Sequence, residues 1–232
     1  MDNKLAQQLV TKTRDDYNRI SGHFSSTRQF VWPDIAEILD SLKIQKGMKI
    51  LDMGCGNGRF AKFFIDKGAD YYGHDISEKL IKIAKTNNPK GYYSCGDLLK
   101  TPFKTHEFDL VISVATLHHI PSNKLRSQAI IEMRRVLKPG GTIIISVWYF
   151  WSQLKYLKFI LREEGRRIIG ISKLDFGDFM MPWRDEKQVT QVERYMHSWK
   201  RSELKRGLTS CGFKEITFAK KKKSHNLIII AK

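Results

Sequence analysis

Three aspartates and three glycines define the chemistry this chain can perform. Asp52 precedes the pattern Gly54-x-Gly56-x-Gly58, Asp75 stands further along, and Asp97 lies in Cys95-Gly96-Asp97-Leu98. Alternating glycines between an apolar run and a helical pattern suit a backbone that must approach a ligand closely. Glycine reaches positive φ and has no β-carbon in the way. A pyrophosphate-binding turn would instead be Gly-x-Gly-x-x-Gly, with no acid ahead of it. Asp52 favours a ligand bearing a cationic amine. Asp75 can accept both hydroxyls of a ribose, and Asp97 can accept from the exocyclic amine of an adenine. Any one of these acids could be a solvated turn residue. Three at successive strand ends, beside the glycines, point to a nucleoside that carries an amine.

A second group could handle an anionic, aromatic acceptor. Tyr17, Arg28 and Trp32 lie in an amino-terminal stretch, His118 and His119 follow an apolar strand, and Trp183, Tyr195 and His197 come late, with Asp178. Arg28 could pair a carboxylate or make a structural ion pair. The histidines could meet a ligand, since strand ends in an open α/β sheet face its crevice, or cap backbone groups. Trp183 and Tyr195 could stack on a base or fill a core. The four lysines at 220–223 read as a solvated hairpin tip or an RNA contact. Cys55, Cys95 and Cys211 have neither metal-ligand spacing nor the look of a disulfide framework. No metal is therefore expected, and a reduced cytoplasmic setting is.

The elements that must position these groups follow from periodicity. A helix is expected over 1–20, broken by Ser21-Gly22, and another from Pro33 to about residue 42. From residue 47 strands and helices alternate. Strands are predicted at 48–53, 70–75, 91–95, 108–114 and 142–148. Helices are predicted at 57–67, after a Ser77 cap to about 86, and at 121–137. The series predicts an α/β, doubly wound, Rossmann-like and mostly parallel seven-stranded sheet, closed by an antiparallel hairpin from strands at 213–219 and 226–230. Residues 149–197 interrupt the rhythm with a basic helix over 154–169 and an irregular segment through 178–183. This reads as a helical insertion after the fifth strand, over the edge where loops carry specificity. Ser198 is expected to cap a helix over 199–210. The whole of 1–232 reads as one domain: arm 1–46, cofactor core 47–148, substrate-side insertion 149–197, and helix with hairpin 198–232.

The 232 residues carry a formal charge of +17. The excess is densest in 151–232, where 19 Lys and Arg face 9 Asp and Glu. Nucleic acid is the first partner to consider for such a chain, with an anionic membrane surface or plain solubility as alternatives. There is no apolar run long enough for a membrane helix and no apolar stretch of a secretory signal. No stable membrane association is expected.

Residues 47–148 resemble a class I S-adenosylmethionine-dependent methyltransferase. The resemblance rests on Leu51-Asp52-Met53-Gly54-Cys55-Gly56-Asn57-Gly58, Asp75, Gly96-Asp97, Phe108-Asp109-Leu110-Val111-Ile112-Ser113 and Leu137-Lys138-Pro139-Gly140-Gly141. It implies S-adenosylmethionine as the methyl donor, with Asp52, Gly54, Gly56 and Gly58 at its methionine part. Asp75 and Ile76 would lie at the ribose, Asp97 and Leu98 at the adenine, and Ser113 to Ala115 beside the methionine moiety. The flanks are similar to the tRNA wobble-uridine carboxymethyl methyltransferases. They match in the arm from Tyr17 to Pro33, in Leu117-His118-His119, in Asp178-Phe179-Met180-Met181-Pro182-Trp183, and in Arg194-Tyr195-Met196-His197, where Met196 replaces an aromatic. That likeness implies methyl esterification of a 5-carboxymethyl uridine in a tRNA anticodon loop. Arg28, His118 and His119 would be catalytic, and Tyr17, Trp32, Asp178, Trp183, Tyr195 and His197 would bind substrate. A small zinc-containing activator protein is a partner that such enzymes in eukaryotes often take. The competing expectations are a methyltransferase for a quinone or lipid precursor, and a non-catalytic RNA-binding protein on the same fold.

Overall fold

The computed structural model describes residues 1–219 and 225–232, so the four lysines at 220–223 lie outside the described residues. Its centre is a parallel sheet made of β1 (Lys49–Met53), β2 (Asp70–Asp75), β3 (Tyr92–Cys95), β4 (Phe108–Val114) and β5 (Leu137–Trp148). The strand order is β3-β2-β1-β4-β5-β9-β8, with β8 (Thr217–Phe218) and β9 (Asn226–Ala231) added antiparallel at the far side of β5. The chain winds outward in one direction from β1 to β3 and in the other from β4 to β5. A crevice therefore opens at the carboxyl ends of β1 and β4, where ligands bind in such sheets.

The period of two in the central strands divides the core between the two faces of the sheet. Leu51, Met53, Val111, Ile143 and Ile145 pack on one face with Ala129, Met133 and Val136 of α5 (Asn123–Val136) and with Leu204 and Leu208 of α7 (Arg201–Ser210). Ile50, Leu110, Ile112 and Ile144 pack on the other with Phe64 of α3 (Ala61–Asp66) and with Ile35 and Leu39 of α2 (Pro33–Asp40). Each fully buried aliphatic side chain contributes about 1.5–3 kcal/mol relative to exposure. The register pairs Asp52 with Gly73 and with Ile112, and Asp75 with Cys95. The residues that follow these strands thus leave the sheet at one edge. Ser77 caps α4 (Glu78–Asn87), its side chain accepting from the Leu80 amide.

Several expectations are corrected. The first helix, α1 (Asn3–Ser26), runs through Ser21-Gly22 instead of breaking there. Ser21 Oγ donates to the Asn18 carbonyl. Tyr17, Ile20 and Phe24 pack with Trp183 and Val192, so tertiary contact outweighs the weak local propensity. α3 begins at Ala61 rather than 57 because Gly58, at φ +73°, still belongs to the turn. β5 starts earlier than 142, with an irregularity between Leu137 and Thr142, and β8 is shorter than 213–219. Ser198 is buried and does not cap α7; the Glu203 carboxylate instead accepts from the Lys200 amide at that terminus.

The largest correction lies in the insertion. After α6 (Leu154–Ile168), the segment expected to be irregular is β6 (Asp178–Arg184), paired antiparallel with β7 (Thr190–His197) in a separate two-stranded sheet. Phe179, Met181 and Trp183 alternate inward along β6. Pro182 is tolerated because β6 pairs only with β7 among the described residues. No helix among the described residues is long and apolar enough to cross a membrane.

Candidate active site

Gly54 leaves β1 at φ +86°, and both its amide and that of Cys55 donate to the His74 carbonyl. A β-carbon at Gly54 would lie 2.2 Å from Thr116 Oγ1, so only glycine fits. Gly56, at φ +55°, donates its amide to Asp75 Oδ2 at 2.8 Å, and Ser77 donates to Oδ1 at 2.8 Å. The glycine turn and the start of α4 therefore aim the Asp75 carboxylate, one bond on each oxygen. Burial raises its pKa, and the same amides oppose the rise. Each oxygen keeps a further acceptor site. Asp97 Oδ1 accepts from the Leu99 amide at 2.9 Å. Gly54, Gly56, Asp75, Ile76, Asp97, Leu98 and Ala115 line a single cavity.

Three residues expected at the cofactor do not line that cavity. Asp52 is buried and turned to Tyr71, whose hydroxyl donates to Oδ2 at 2.7 Å, while Oδ1 has no partner. Burial pushes its pKa up to about 7. Ser113 is buried, and its Oγ donates to the Met53 carbonyl. Gly58 packs against Ala84, whose Cβ would be 3.1 Å from an added β-carbon. These three shape the turn from behind.

The same cavity is also lined by Tyr17, Arg28, Trp32, His118, His119 and Arg194. His119 Nδ1 faces the Tyr195 carbonyl at 3.1 Å. A carbonyl can only accept, so Nδ1 carries the proton and Nε2 is left to accept from the Tyr17 hydroxyl at 2.7 Å. Tyr17 oxygen in turn accepts from Arg194 Nη1 at 3.2 Å. Burial, and after it the Arg194 charge, push the His119 pKa down to about 3. His118 is also buried, accepts from the Trp148 amide at Nδ1, and is held well below the ordinary histidine range by burial and then by His119. Both rings are neutral at physiological pH. The geometry makes His119 a positioning group for Tyr17 and Arg194, not a proton carrier.

Arg28 lies 5.5 Å and Arg194 4.6 Å from the Trp183 ring centroid. Among the described residues, neither guanidinium has a carboxylate at ion-pair distance. Burial, and then Arg194, lower the Arg28 pKa. Trp183 lies behind both cations and donates its indole N–H to His23 Nδ1 at 3.0 Å. It supports the cavity wall without lining it.

Asp178, Tyr195 and His197, all expected to touch substrate, lie elsewhere. Asp178 Oδ1 pairs with His197 Nδ1 at 2.7 Å, and Oδ2 accepts from the Asp175 amide. His197 Nε2 meets Glu203 Oε1 at 2.9 Å. Arg126 reaches the Tyr195 hydroxyl, Asp178 and Glu203. This buried cluster ties the β6–β7 hairpin to α5 and α7. The period of two explains the error: residues 194 and 197 fall on opposite faces of β7, so they cannot share one ligand. Arg194, the residue on the cavity side, was missed as a site residue. Parity alone separates it from His197 but does not say which of the two faces the cavity; the packing of β7 does.

Residues 51–145 match the methyltransferase domain family. A solved S-adenosylmethionine-dependent methyltransferase of Methanosarcina mazei is 26% identical, with a TM-score of 0.68 over 87% of this chain and 97% of its own. A methyltransferase-family protein of Encephalitozoon cuniculi is 32% identical over 85% of this chain and 85% of its own length. The chain belongs to the S-adenosylmethionine-dependent methyltransferases. Within that family it is 37% identical, over 69% of its length, to the tRNA (carboxymethyluridine(34)-5-O)-methyltransferase of Xenopus tropicalis, of which it covers 25%. The chain spans about a fifth to a third of the length of the first curated relatives it matches. A methyltransferase structure from a complex with the Haloferax volcanii Trm112 methyltransferase activator shares the fold, at 16% identity and a TM-score of 0.64 over 93% of this methyltransferase and 96% of that chain.

Proposed function

We propose that this methyltransferase esterifies the 5-carboxymethyl group of a wobble uridine in a tRNA anticodon loop. The observation that carries the reading is the pair of guanidiniums, Arg28 and Arg194, which share the Trp183 indole beside the cavity with no carboxylate at ion-pair distance among the described residues. Arg194 is buried, so its desolvation is costly, and an arriving carboxylate offsets that cost. The activity for which the curated relatives are named and the charge of +17 point the same way.

The residues present fit S-adenosylmethionine. Gly54 admits no β-carbon, and Asp75 is pre-aimed by two amides with acceptor sites to spare. Asp75 would take the ribose hydroxyls, Asp97 and Leu98 the adenine, and Ile76 would flank it. The Gly54–Gly56 turn and Ala115 would border the methionine part. When bound, this group supplies an electrophilic methyl on a sulfonium.

The acceptor carboxylate is ionised at neutral pH and needs no general base. The task of the chain is orientation, which can supply much of the barrier reduction in such a transfer. Arg194 and Arg28 hold the carboxylate, Tyr17 and His119 fix Arg194, and the buried neutral His118 packs the wall. Trp32 offers a ring for the uridine. The product ester is uncharged, so its hold on the two cations weakens and release is favoured. The insertion 149–197 and the arm 1–46 form the acceptor side of one domain that also contains the cofactor core.

β3 is the edge strand of the large sheet, with Tyr92 58% exposed. It is the surface on which an activator of the Trm112 kind would sit, zinc-containing or not. The decisive experiment incubates the protein, with and without such an activator, with labelled methyl donor and tRNA that carries or lacks the carboxymethyl acid. Nucleoside mass spectrometry should find the methyl ester only with the acid. Unchanged acid in both arms sinks the reading.

A further inference from the structure

A second groove lies on the outer side of the glycine turn, and the chemistry above makes no use of it. It encloses about 560 Å³ beside the connection from α1 to α2, and Asn57 and Arg59 line both it and the main cavity. Phe30 stands at this groove with 82% of its surface exposed. The loop that displays it is pinned on both sides. Asn57 Nδ2 donates to the Arg28 carbonyl at 3.1 Å, and Val31 and Trp32 pack against the core. The ring is therefore held out by an anchored backbone, which is how a stacking platform is presented.

The remaining walls are polar. Asn87 and Asn88 donate their Nδ2 groups to the Asn57 and Gly58 carbonyls, which orients both side chains and leaves each Oδ1 as an acceptor. Arg59 stacks 4.3 Å over Trp32, and its Nη1 is buried without a hydrogen-bond partner. Lys62 adds a second cation, held at 2.9 Å by Asp66 on its own helix, and no aspartate or glutamate is among the described residues that line the groove. One open aromatic face, oriented amides and two cations complement the three parts of a single nucleotide: a π face, a base edge and a phosphate.

We propose that this groove receives a nucleotide adjacent to the methylated one, with its base on Phe30 and its phosphate near Arg59 and Lys62. The proposal rests on the reading of the chain as a tRNA methyltransferase. Seating a neighbour on the outer side of the glycine turn splays the strand and directs the target base into the cavity.

The test is a cycle between protein and RNA. The substrate is an anticodon stem-loop with 5-carboxymethyluridine at the wobble position, intact or abasic at the nucleotide on either side. On intact RNA, Phe30→Ala should lower kcat/KM about 5- to 100-fold through KM, the range expected for loss of one stacked base. Phe30→Trp should restore it, and cofactor affinity and melting temperature should not move. At one of the two flanking positions, removing the base should lower the wild-type value by a similar factor and leave Phe30→Ala no further loss. Wild-type rates in Phe30→Ala, or losses that multiply independently at both flanks, overturn the groove while the acceptor reading stands. Failure of the wild type to methylate acid-bearing tRNA removes that reading and this proposal together.

Discussion

Replacing Arg194 by methionine should separate acceptor binding from folding. Arg194 is buried, donates to Tyr17 at 3.2 Å, lies 4.6 Å over Trp183, and has Nε without a partner. Its favourable contacts are worth about 1 kcal/mol for the hydrogen bond and about 0.5–2 kcal/mol for the ring contact. Against them stands the desolvation of a buried cation without a counter-ion, which is several kcal/mol. Methionine fills similar volume without that penalty, so the melting temperature should hold or rise. The substrate carboxylate loses charge-assisted hydrogen bonds worth about 1.5–3 kcal/mol. That is about a 10- to 150-fold drop in kcat/KM on acid-bearing tRNA. Steady-state methyl transfer, thermal melting and calorimetry with the cofactor measure the three quantities independently. A drop of kcat/KM smaller than about threefold, or a loss of melting temperature and cofactor affinity in step with activity, would refute the assignment.

Four further predictions concern the frame around that site. Gly54→Ala should weaken cofactor binding and lower stability by more than about 1 kcal/mol, because its β-carbon meets Thr116 at a positive φ. Gly22→Ala, with nothing within 4 Å inside α1, should raise stability by about 0.5–1 kcal/mol in denaturant titrations. Asp178→Ala should cost about 3–5 kcal/mol by leaving Arg126 short of a buried partner, while activity per folded molecule is kept; loss of turnover at full stability would return Asp178 to the substrate. Stability should also fall with acid. His119 at about 3, with His118 and His74 also lowered, lies below the unfolded histidine value near 6.5, so the unfolded chain takes up these protons first as pH drops. Their contribution is complete above about pH 6.5 and is lost toward pH 3. Asp52, raised to about 7, works in the opposite sense between about pH 7 and 4, and Asp75 and Asp16, raised as well, reduce the slope further without reversing the contribution of the three histidines. Urea melts from pH 8 to 5 should slope downward, and His119→Gln should flatten the slope.

Much of the fold was legible because the central strands carry a strong, simple signal. The apolar run Phe108–Val114 can only be a strand covered on both faces, and Asp70–Asp75 and the Ser77 cap fell where local chemistry put them. The β6–β7 hairpin was not legible. Its strand pattern is interrupted by Pro182, and its partner lies beyond a turn with no strong hairpin signature, so only pairing reveals it. Gly54, Gly56, Asp75, Ile76, Asp97 and Leu98 gather at one cavity as their pattern implies, whereas Asp52, Ser113 and Gly58 do not line it. The acceptor end was read from residue types, and types do not say which face of a strand they occupy.

The sequence by itself determined that a glycine turn and the acids Asp75 and Asp97 gather at one cavity, because acids at successive strand ends are a local pattern repeated at each βα junction. Only the tertiary structure decided the acceptor side. Tyr17, Arg28, His119 and Arg194 come from α1, the connection after it, the β4 exit and β7, far apart in the chain. Which of them meet follows from how α1 and β7 pack over the sheet edge, and that packing also decided that Arg194 faces the cavity while Asp178 and His197 hold the insertion together.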